Sequence, residues 1–512
     1  MSTALLRCLF NKESKMTNVL EYLEHSASLM PDKTAVADRE HKYSFKELKD
    51  TAMLLAGAPA LKNAPKGAVG VIVERNADVI MYFMAVLYSG HYYIPLDPEM
   101  PAKKLNMIAD NAEISVIIGN ESQRSIADQI ERDICYVTLS DQSGAAPCSD
   151  GLNCGPDDPL FMIYTSGSTG VPKGVLKSHR AVMSFIDAYA DEFGFDENEV
   201  IGNQTPFFFD ASAKDIYLML KTGAAMEILP TEYFAMPPSL IRYMNEREVT
   251  FISWVPSALS VIVQLNTFKA VLPTTLKKVF FVGEVMPMKH LNKWREALPD
   301  LTYVNLYGST EIAGISCFYR VDREFENDEN LPMGKPLSNC RVYLLDGDKV
   351  VTEKDHIGEM YVVSDAVALC YWKDPEKTDS CFVMKDFGEG PVRAYKSGDL
   401  ARYDENGDLV FVSRSDFQIK HMGHRIELGE IETVAGSLDD IQRCACLYND
   451  KKSRIVLFCQ LVPGSELAGN DIKAALTEKL SSYMVPNSVN IMDSLPYNAN
   501  NKIDRVKLKE LL

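Results

Sequence analysis

The sequence predicts an α/β protein of layered sheets and helices, with a large N-terminal unit and a small α+β unit at the C-terminal end. Three observations carry this. At 512 residues the chain exceeds what one hydrophobic core ordinarily holds, so at least two domains are expected. Short apolar runs of strand length alternate with segments whose apolar residues recur every three or four positions. From Phe417 onward the pattern changes to a short series of strands and helices of its own.

In order, residues 18–29 are periodic and read as a helix, and 34–37 as a short strand. Ser44 reads as the cap of a helix beginning at Phe45. Residues 69–73 form a buried strand, and 81–88 a helix that Gly90 closes. Residues 92–98 read as a strand stopped by a proline turn. Residues 160–164 are a buried strand, and Val182, Phe185, Tyr189 and Phe193 mark an amphipathic helix. Residues 251–255 and 276–282 are strands ending at Pro256-Ser257 and Gly283-Glu284. In the C-terminal unit, 430–437 and 471–484 read as helices and 442–448, 454–461 and 489–492 as strands.

Composition narrows the function. An apolar fraction of 46% and a charged fraction of 24% are those of a globular protein. A net charge of −18 argues against nucleic acid or an anionic membrane as the main partner. The 11 cysteines are scattered, with no C-x-x-C pair, which suggests reduced thiols in a cytoplasm. No run approaches 18 apolar residues. The first ten residues are too short and too interrupted by Arg7 for a signal peptide. Met16 is a possible start, with residues 1–15 loosely ordered.

The chemistry centres on Tyr164-Thr165-Ser166-Gly167-Ser168-Thr169-Gly170-Val171-Pro172-Lys173-Gly174. Glycines let the backbone N–H groups turn inward, hydroxyls add donors, and the lysine adds charge. A loop of this kind between a strand and a helix holds a polyphosphate. Pro172 before Lys173 excludes a P-loop, and there is no G-x-G-x-x-G. The bland alternative is a flexible linker.

This loop resembles the phosphate-binding signature of the adenylate-forming superfamily, which includes acyl-CoA synthetases, luciferases and amino-acid adenylation domains. Further matches extend the resemblance over roughly residues 20–510. Residues 92–98 resemble a structural motif of that family, and Phe207-Phe208-Phe209-Asp210-Ala211-Ser212 its F-D-x-S motif. Asn305-Leu306-Tyr307-Gly308-Ser309-Thr310-Glu311 is similar to N-x-Y-G-P-T-E, with Ser309 in place of proline. Tyr395 to Leu400 is similar to Y-R-T-G-D-L, 413–420 to G-R-x-D-x-Q-V-K, and 495–504 to L-P-x-T-x-N-G-K-x-D, with Asn501 at the glycine.

The resemblance implies a large ATP- and substrate-binding domain at 16–412, a hinge at 413–417 centred on Asp416, and a mobile lid domain at 418–512. It implies ATP and Mg²⁺. Thr165, Ser166, Gly167, Ser168, Thr169, Gly170 and Lys173 would hold phosphates. Gly283, Glu284, Asn305, Tyr307, Gly308, Asp399 and Arg414 would hold the rest of the nucleotide. Thr310 would touch a phosphate, Glu311 the metal ion, and Lys502 the reacting carboxylate. The face near Gly423 would serve a thiol channel after the lid rotates.

Asp210 would face the ammonium of an amino acid, since a buried ammonium needs a carboxylate. The plainer reading, a helix cap, is compatible with this. Position-matching puts Ala211, Lys214, Trp254, Phe280, Val282, Leu306, Gly314 and Ile315 around the side-chain pocket. Trp254 and Phe280 would take up volume and favour a small side chain such as alanine's. Lys214 would reach an acidic substrate, pair with Asp210, or extend to solvent, the last being favoured. The segment 364–370, where the family carries glycines, reads as a loop away from the phosphates.

The implied reaction is activation of an amino acid to aminoacyl-AMP, then transfer to a phosphopantetheine thiol on a carrier protein, expected in trans because no carrier segment follows before Leu512. D-alanine–carrier-protein ligases and stand-alone peptide-synthesis enzymes both fit. The rivals are an acyl- or aryl-CoA ligase, which Asp210 opposes, and a non-catalytic nucleotide sensor, which the retention of Lys173, Glu311, Asp399 and Lys502 opposes.

Overall fold

The computed structural model describes residues 16–165, 171–327, 329–414, 418–449, 452–496 and 503–512. Two large sheets dominate. One has seven strands in the order Cys370–Tyr371, Lys173–Ser178, Pro159–Thr165, Tyr92–Leu96, Ala68–Ile72, Val116–Ile118, Cys135–Val137. The other has nine, with Val200–Asn203, Phe251–Trp254, Lys278–Val282 and Thr302–Tyr307 running parallel side by side. A third, six-stranded antiparallel sheet is built on the long strand Pro391–Tyr403. One continuous core joins all three through residues such as Phe161, Phe280 and Met360.

The helices between the sheets follow from their sequences. Asp78–Tyr88 is apolar on every side and is buried at all its positions, as a helix with no polar face must be. Phe45–Ala56 starts where expected, on a capping box of Ser44 and Glu47. His179–Phe193 buries the anticipated stripe of Val182, Phe185, Tyr189 and Phe193 and ends on Gly194 at φ +60°.

The expectation that the Gly/Ser/Thr loop leads straight into this helix is corrected. Lys173–Ser178 is a strand antiparallel to Pro159–Thr165, with Thr165 opposite Lys173 and Phe161 opposite Lys177. The helix follows, its first turn capped by the Ser178 hydroxyl, which accepts from the Ala181 N–H at 3.2 Å. Lysines at the first and fifth positions of a six-residue run disguised the strand.

The C-terminal unit is α+β, as read. Ile441–Asn449, Arg454–Leu461 and Ser488–Ile491 form one sheet, and Gln418–His421 and His424–Glu427 pair only with each other. Its core of Ile431, Leu457, Ile472 and Leu476 is separate from that of the large body. The helix read over 471–484 is shorter, Gly469–Thr477 followed by a tight turn Ser482–Met484. Serines at 481 and 482 favour such a break because their side chains compete for backbone hydrogen bonds.

Candidate functional site

The parallel strands of the nine-stranded sheet end at one cleft, and the turn after Thr302–Tyr307 supplies its centre. This turn is drawn tight. A Cβ on Gly308 would lie 2.1 Å from the Gly314 carbonyl oxygen, and Gly314 sits at φ +110° against the Phe185 ring. The Ser316 N–H donates to the Tyr307 carbonyl at 2.8 Å. Thr310 and Glu311 lie within it. The segment 364–370 is woven into this turn: Ala368 N–H donates to the Glu311 carbonyl at 2.9 Å and Ala313 N–H to the Ala366 carbonyl at 2.7 Å.

The Glu311 carboxylate is buried and accepts three hydrogen bonds. Tyr371 Oη donates to Oε1 at 2.5 Å, and Arg425 Nη1 reaches Oε1 at 2.9 Å and Oε2 at 2.7 Å. Burial alone pushes this carboxyl up, but Arg425 and Tyr371 outweigh it and hold the group at about 2. Arg425 belongs to the small domain, so this ion pair joins the two domains.

Beside it, Tyr307 Oη donates to Asp399 Oδ2, and Arg414 Nη1 donates to Asp399 Oδ1 at 2.6 Å. Asp399 is fixed further by its own N–H, which donates to Ser397 Oγ at 3.0 Å. A cavity of about 220 Å³ opens here, lined by Tyr371, Tyr395, Lys396, Gly398, Arg414 and Arg425 among others. Asn305 Nδ2 donates to the Pro332 carbonyl at 2.7 Å.

Asp210 stands at the end of the Phe207–Phe209 run. It does not cap the helix Ser212–Thr222: the residue before that helix is Ala211, and no side chain caps it. Its Oδ1 instead accepts from the ammonium of Lys177, a wholly buried side chain on the returning strand of the hairpin. Lys177 also lies 5.3 Å from the centroid of the Phe161 ring.

Lys214 corrects the expectation of a solvent-directed chain. It is buried, 3.2 Å from Asp215 Oδ1, and donates to the Ala211 carbonyl at 3.1 Å. Asp215 in turn accepts from Asn203 Nδ2 at 2.9 Å. A nearer carboxylate in the same helical turn, held by Asn203, is the reason the lysine turns inward.

The expected narrowing of one pocket by Trp254 and Phe280 is corrected too. Both are fully buried, but Trp254 packs with Ile252 and Phe281 while Phe280 packs with Phe251 and Val282, on the opposite face of the sheet. Strand alternation imposes this. Trp254 is held by its indole N–H on the Gly202 carbonyl at 2.9 Å. Val282, Leu306 and Ile315 are buried on the Phe280 side.

The two-stranded hairpin of the small domain inserts into the cleft. Gly423 N–H donates to Glu284 Oε1 at 2.9 Å, and Glu284 Oε2 accepts from Ser257 N–H at 3.0 Å. Gly423 is at φ +81°, and a Cβ there would lie 2.9 Å from Val255. His424 stacks on Tyr483 at 3.7 Å and meets Phe209 edge-on at 4.7 Å. Lys420 Nζ donates to the Gly308 carbonyl at 3.4 Å, and the same ammonium lies 5.5 Å from the Tyr307 ring centroid.

Glu284, Asn305, Tyr307, Gly308, Thr310, Glu311, Asp399 and Arg414 thus gather at or beside one cleft. Gly283 stands next to Val255 at φ +98°, and Lys173 opens the returning strand, where its carbonyl accepts from Thr165 Oγ1 at 3.4 Å. Ser166, Gly167, Ser168, Thr169, Gly170, Asp416 and Lys502 lie outside the described residues. Sequence reasoning passed over Lys177, Tyr371 and Arg425. Lys177 was legible only once the hairpin was known, as a charged residue facing an aromatic strand neighbour.

Comparison with known proteins agrees with this geometry. Residues 23–372 match the family model described as AMP-binding enzyme, and 430–502 that of the AMP-binding enzyme C-terminal domain. A D-alanine–D-alanyl carrier protein ligase of Bacillus cytotoxicus is 31% identical over 96% of this chain and 98% of its own length. Tyrocidine synthase 3 of Brevibacillus parabrevis is 28% identical over 98% of this chain, which spans only 8% of that protein. Among solved structures, holo-PA1221, a protein containing adenylation and PCP domains, superposes with a TM-score of 0.84 at 24% identity, over 97% of this chain and 84% of its own. One model covers the large body and the other the small domain that reaches into its cleft: the chain belongs to the AMP-binding enzyme family.

Proposed function

We propose that this protein is an AMP-forming amino-acid ligase that activates its substrate with ATP and passes it to a carrier protein. In the first step the amino-acid carboxylate attacks the α-phosphorus, and the bond to the leaving pyrophosphate breaks. In the second, the thiol of a phosphopantetheine arm attacks the carbonyl carbon of the aminoacyl-AMP; AMP leaves and the thiol proton is lost. The observation that carries this reading is the convergence of Asp399, Glu311 and Asp210, from a strand of the six-stranded sheet and two loops of the nine-stranded one, on a cleft that the small domain enters. The similarity to a D-alanyl carrier protein ligase over nearly its full length supports the carrier step and a small substrate such as alanine.

The residues divide the work. Asp399, with two oxygens fixed by Tyr307 and Arg414, suits adjacent ribose hydroxyls. Asn305 and Tyr307 would border the adenine base. Lys173, Thr310 and residues 165–170 would carry the phosphates, and Lys502 the reacting carboxylate and α-phosphate, where positioning and charge neutralisation are the whole task. Asp210 would meet the substrate ammonium, with Ala211, Val282, Leu306, Gly314 and Ile315 around the side chain.

Magnesium fits in one mode. Among the described residues no group of three or more metal-ligating side chains is assembled, and Glu311 is a single buried carboxylate. Mg²⁺ commonly uses one carboxylate plus phosphates. In this arrangement Arg425 occupies both oxygens of Glu311, so the metal and Arg425 require different positions of the small domain. When bound, the metal would neutralise charge on the departing phosphates.

That exclusion supports a division of domains at 16–412 and 418–512 with a hinge at 413–417 around Asp416. The docked arrangement belongs to the transfer step, and a swung one, with Lys502 brought in, to activation. We place the reaction in the cytoplasm, where ATP and a carrier thiol are at hand. Among the described residues no helix is long and apolar enough to cross a membrane.

ATP–pyrophosphate exchange across the proteinogenic amino acids and both alanine enantiomers tests the reading. Exchange driven by a small amino acid is the expected result. Silence with every amino acid overturns it.

A further inference from the structure

Asp210 is not a bare carboxylate awaiting an ammonium. Lys177 already lies on its Oδ1, from a strand of the same body, and no hinge separates the two. The Lys177 side chain is 0% exposed and the Asp210 side chain 12%. Among the described residues Oδ2 accepts no hydrogen bond. Lys177 reaches this point because Phe161 stands opposite it in the hairpin and directs it along the aromatic floor.

We propose that Lys177 is a specificity-determining residue that relaxes the requirement for an α-amino group in the substrate. This rests on the amino-acid-activating reading above. In a pocket with a lone buried carboxylate, an acid lacking the amine leaves that carboxylate unsatisfied. Sites that lose such a partner reject the analogue by about 10⁴–10⁵-fold. Here the same acid leaves Asp210 still paired with Lys177 through Oδ1, so the penalty is smaller. An incoming ammonium must instead share Asp210 with a second cation at close range, which opposes its binding. Burial pushes the Lys177 ammonium down and the Asp210 carboxyl up, each against the pull of the other. With the proton on either atom, the negative charge offered to a substrate amine is reduced. The pocket therefore takes small carboxylic acids with modest regard to the amine.

The test is ATP–pyrophosphate exchange with the best amino acid and its des-amino counterpart, propionate for alanine. The wild type should favour the amino acid in kcat/KM by less than about a hundredfold. Lys177→Met should widen that ratio at least tenfold, through a lower KM for the amino acid, with the KM for ATP as the control. A wild-type preference above a hundredfold overturns the proposal, and this arm stands even if the variant does not fold. A folded Lys177→Met protein with an unchanged or smaller ratio also overturns it. If the wild type exchanges with no amino acid, the amino-acid reading falls as well, which separates the two failures.

Discussion

Glu311 and Asp210 are both carboxylates sunk into the same cleft, and both carry a cation, yet their partners come from different places. Arg425 reaches Glu311 from the small domain, whereas Lys177 reaches Asp210 from a strand of the same sheet system. The first pair separates whenever the domains do. The second survives any domain motion. Across the hinge proposed at 413–417, a paired carboxylate is a switchable group, and one paired within a domain is a permanent feature of the pocket. The pKa shifts differ accordingly: Glu311 is held at about 2 by its partners against burial, while for Asp210 burial wins and the carboxyl rises.

The largest effect is expected at the switchable carboxylate. Glu311→Gln keeps the shape, removes the charge, and should cut pyrophosphate exchange by about 10²–10³-fold, the scale for losing an electrostatic contact to the transition state. Activity within threefold of wild type would remove Glu311 from the chemistry. Next, Asp210→Asn strands the buried Lys177 ammonium. Breaking a buried pair from one side costs about 3–5 kcal/mol, so melting should shift well downward. Adding Lys177→Met to that variant should restore most of the loss. An additive double variant would mean that the two side chains are not coupled.

Arg425→Met tests the other pair. It removes the cross-domain contact while freeing Glu311, so transfer to a carrier thiol should fall at least tenfold while pyrophosphate exchange falls less. Equal losses would show that docking and activation are not separate. Acid gives a milder probe of the same contact. Against burial, Arg425 is the largest of the groups that hold the Glu311 carboxyl low in the docked state, so the undocked state binds more protons in acid. Docking stability from this pair is then present at neutral pH and declines as pH falls toward 2. X-ray scattering across that range should show expansion on acidification; constant dimensions would argue that Arg425 contributes little. Smallest of all, Lys104→Ala breaks another cross-domain ion pair, Lys104–Glu430 at 3.2 Å. It should cost about 1 kcal/mol of melting stability and leave exchange rates unchanged.

Much of this was legible in the sequence. Periodicity located the helices carrying the core, and turn and cap residues such as Ser44 and Gly90 marked their ends. The motif residues Tyr307, Glu311, Asp399 and Arg414 do meet: Tyr307 ends a parallel strand and Glu311 lies in the turn after it, while Asp399 and Arg414 stand opposite each other on adjacent strands of the antiparallel sheet. What was hidden was partnership. Lys214 and Asp210 sit four residues apart and invited pairing, but Asp215 was nearer in space and was itself anchored by Asn203. Lys177 and Asp210 are far apart in sequence, and no local pattern connects them. Trp254 and Phe280 looked like neighbours by position, and only the alternation of two adjacent strands shows them back to back.

The hairpin Gln418–Glu427 has one further consequence. It joins no larger sheet, and a lone two-stranded ribbon is marginal in water. One side of it packs on the small domain, through Ile419, Ile426 and the His424–Tyr483 stack, and the other rests on Glu284, Phe209, Gly308 and Glu311 when docked. Each departure from the cleft should open its amides to deuterium, while the three-stranded sheet behind it stays closed. The exchange rate of those few amides is then a clock for the domain motion, readable in the unlabelled protein and resettable by nucleotide.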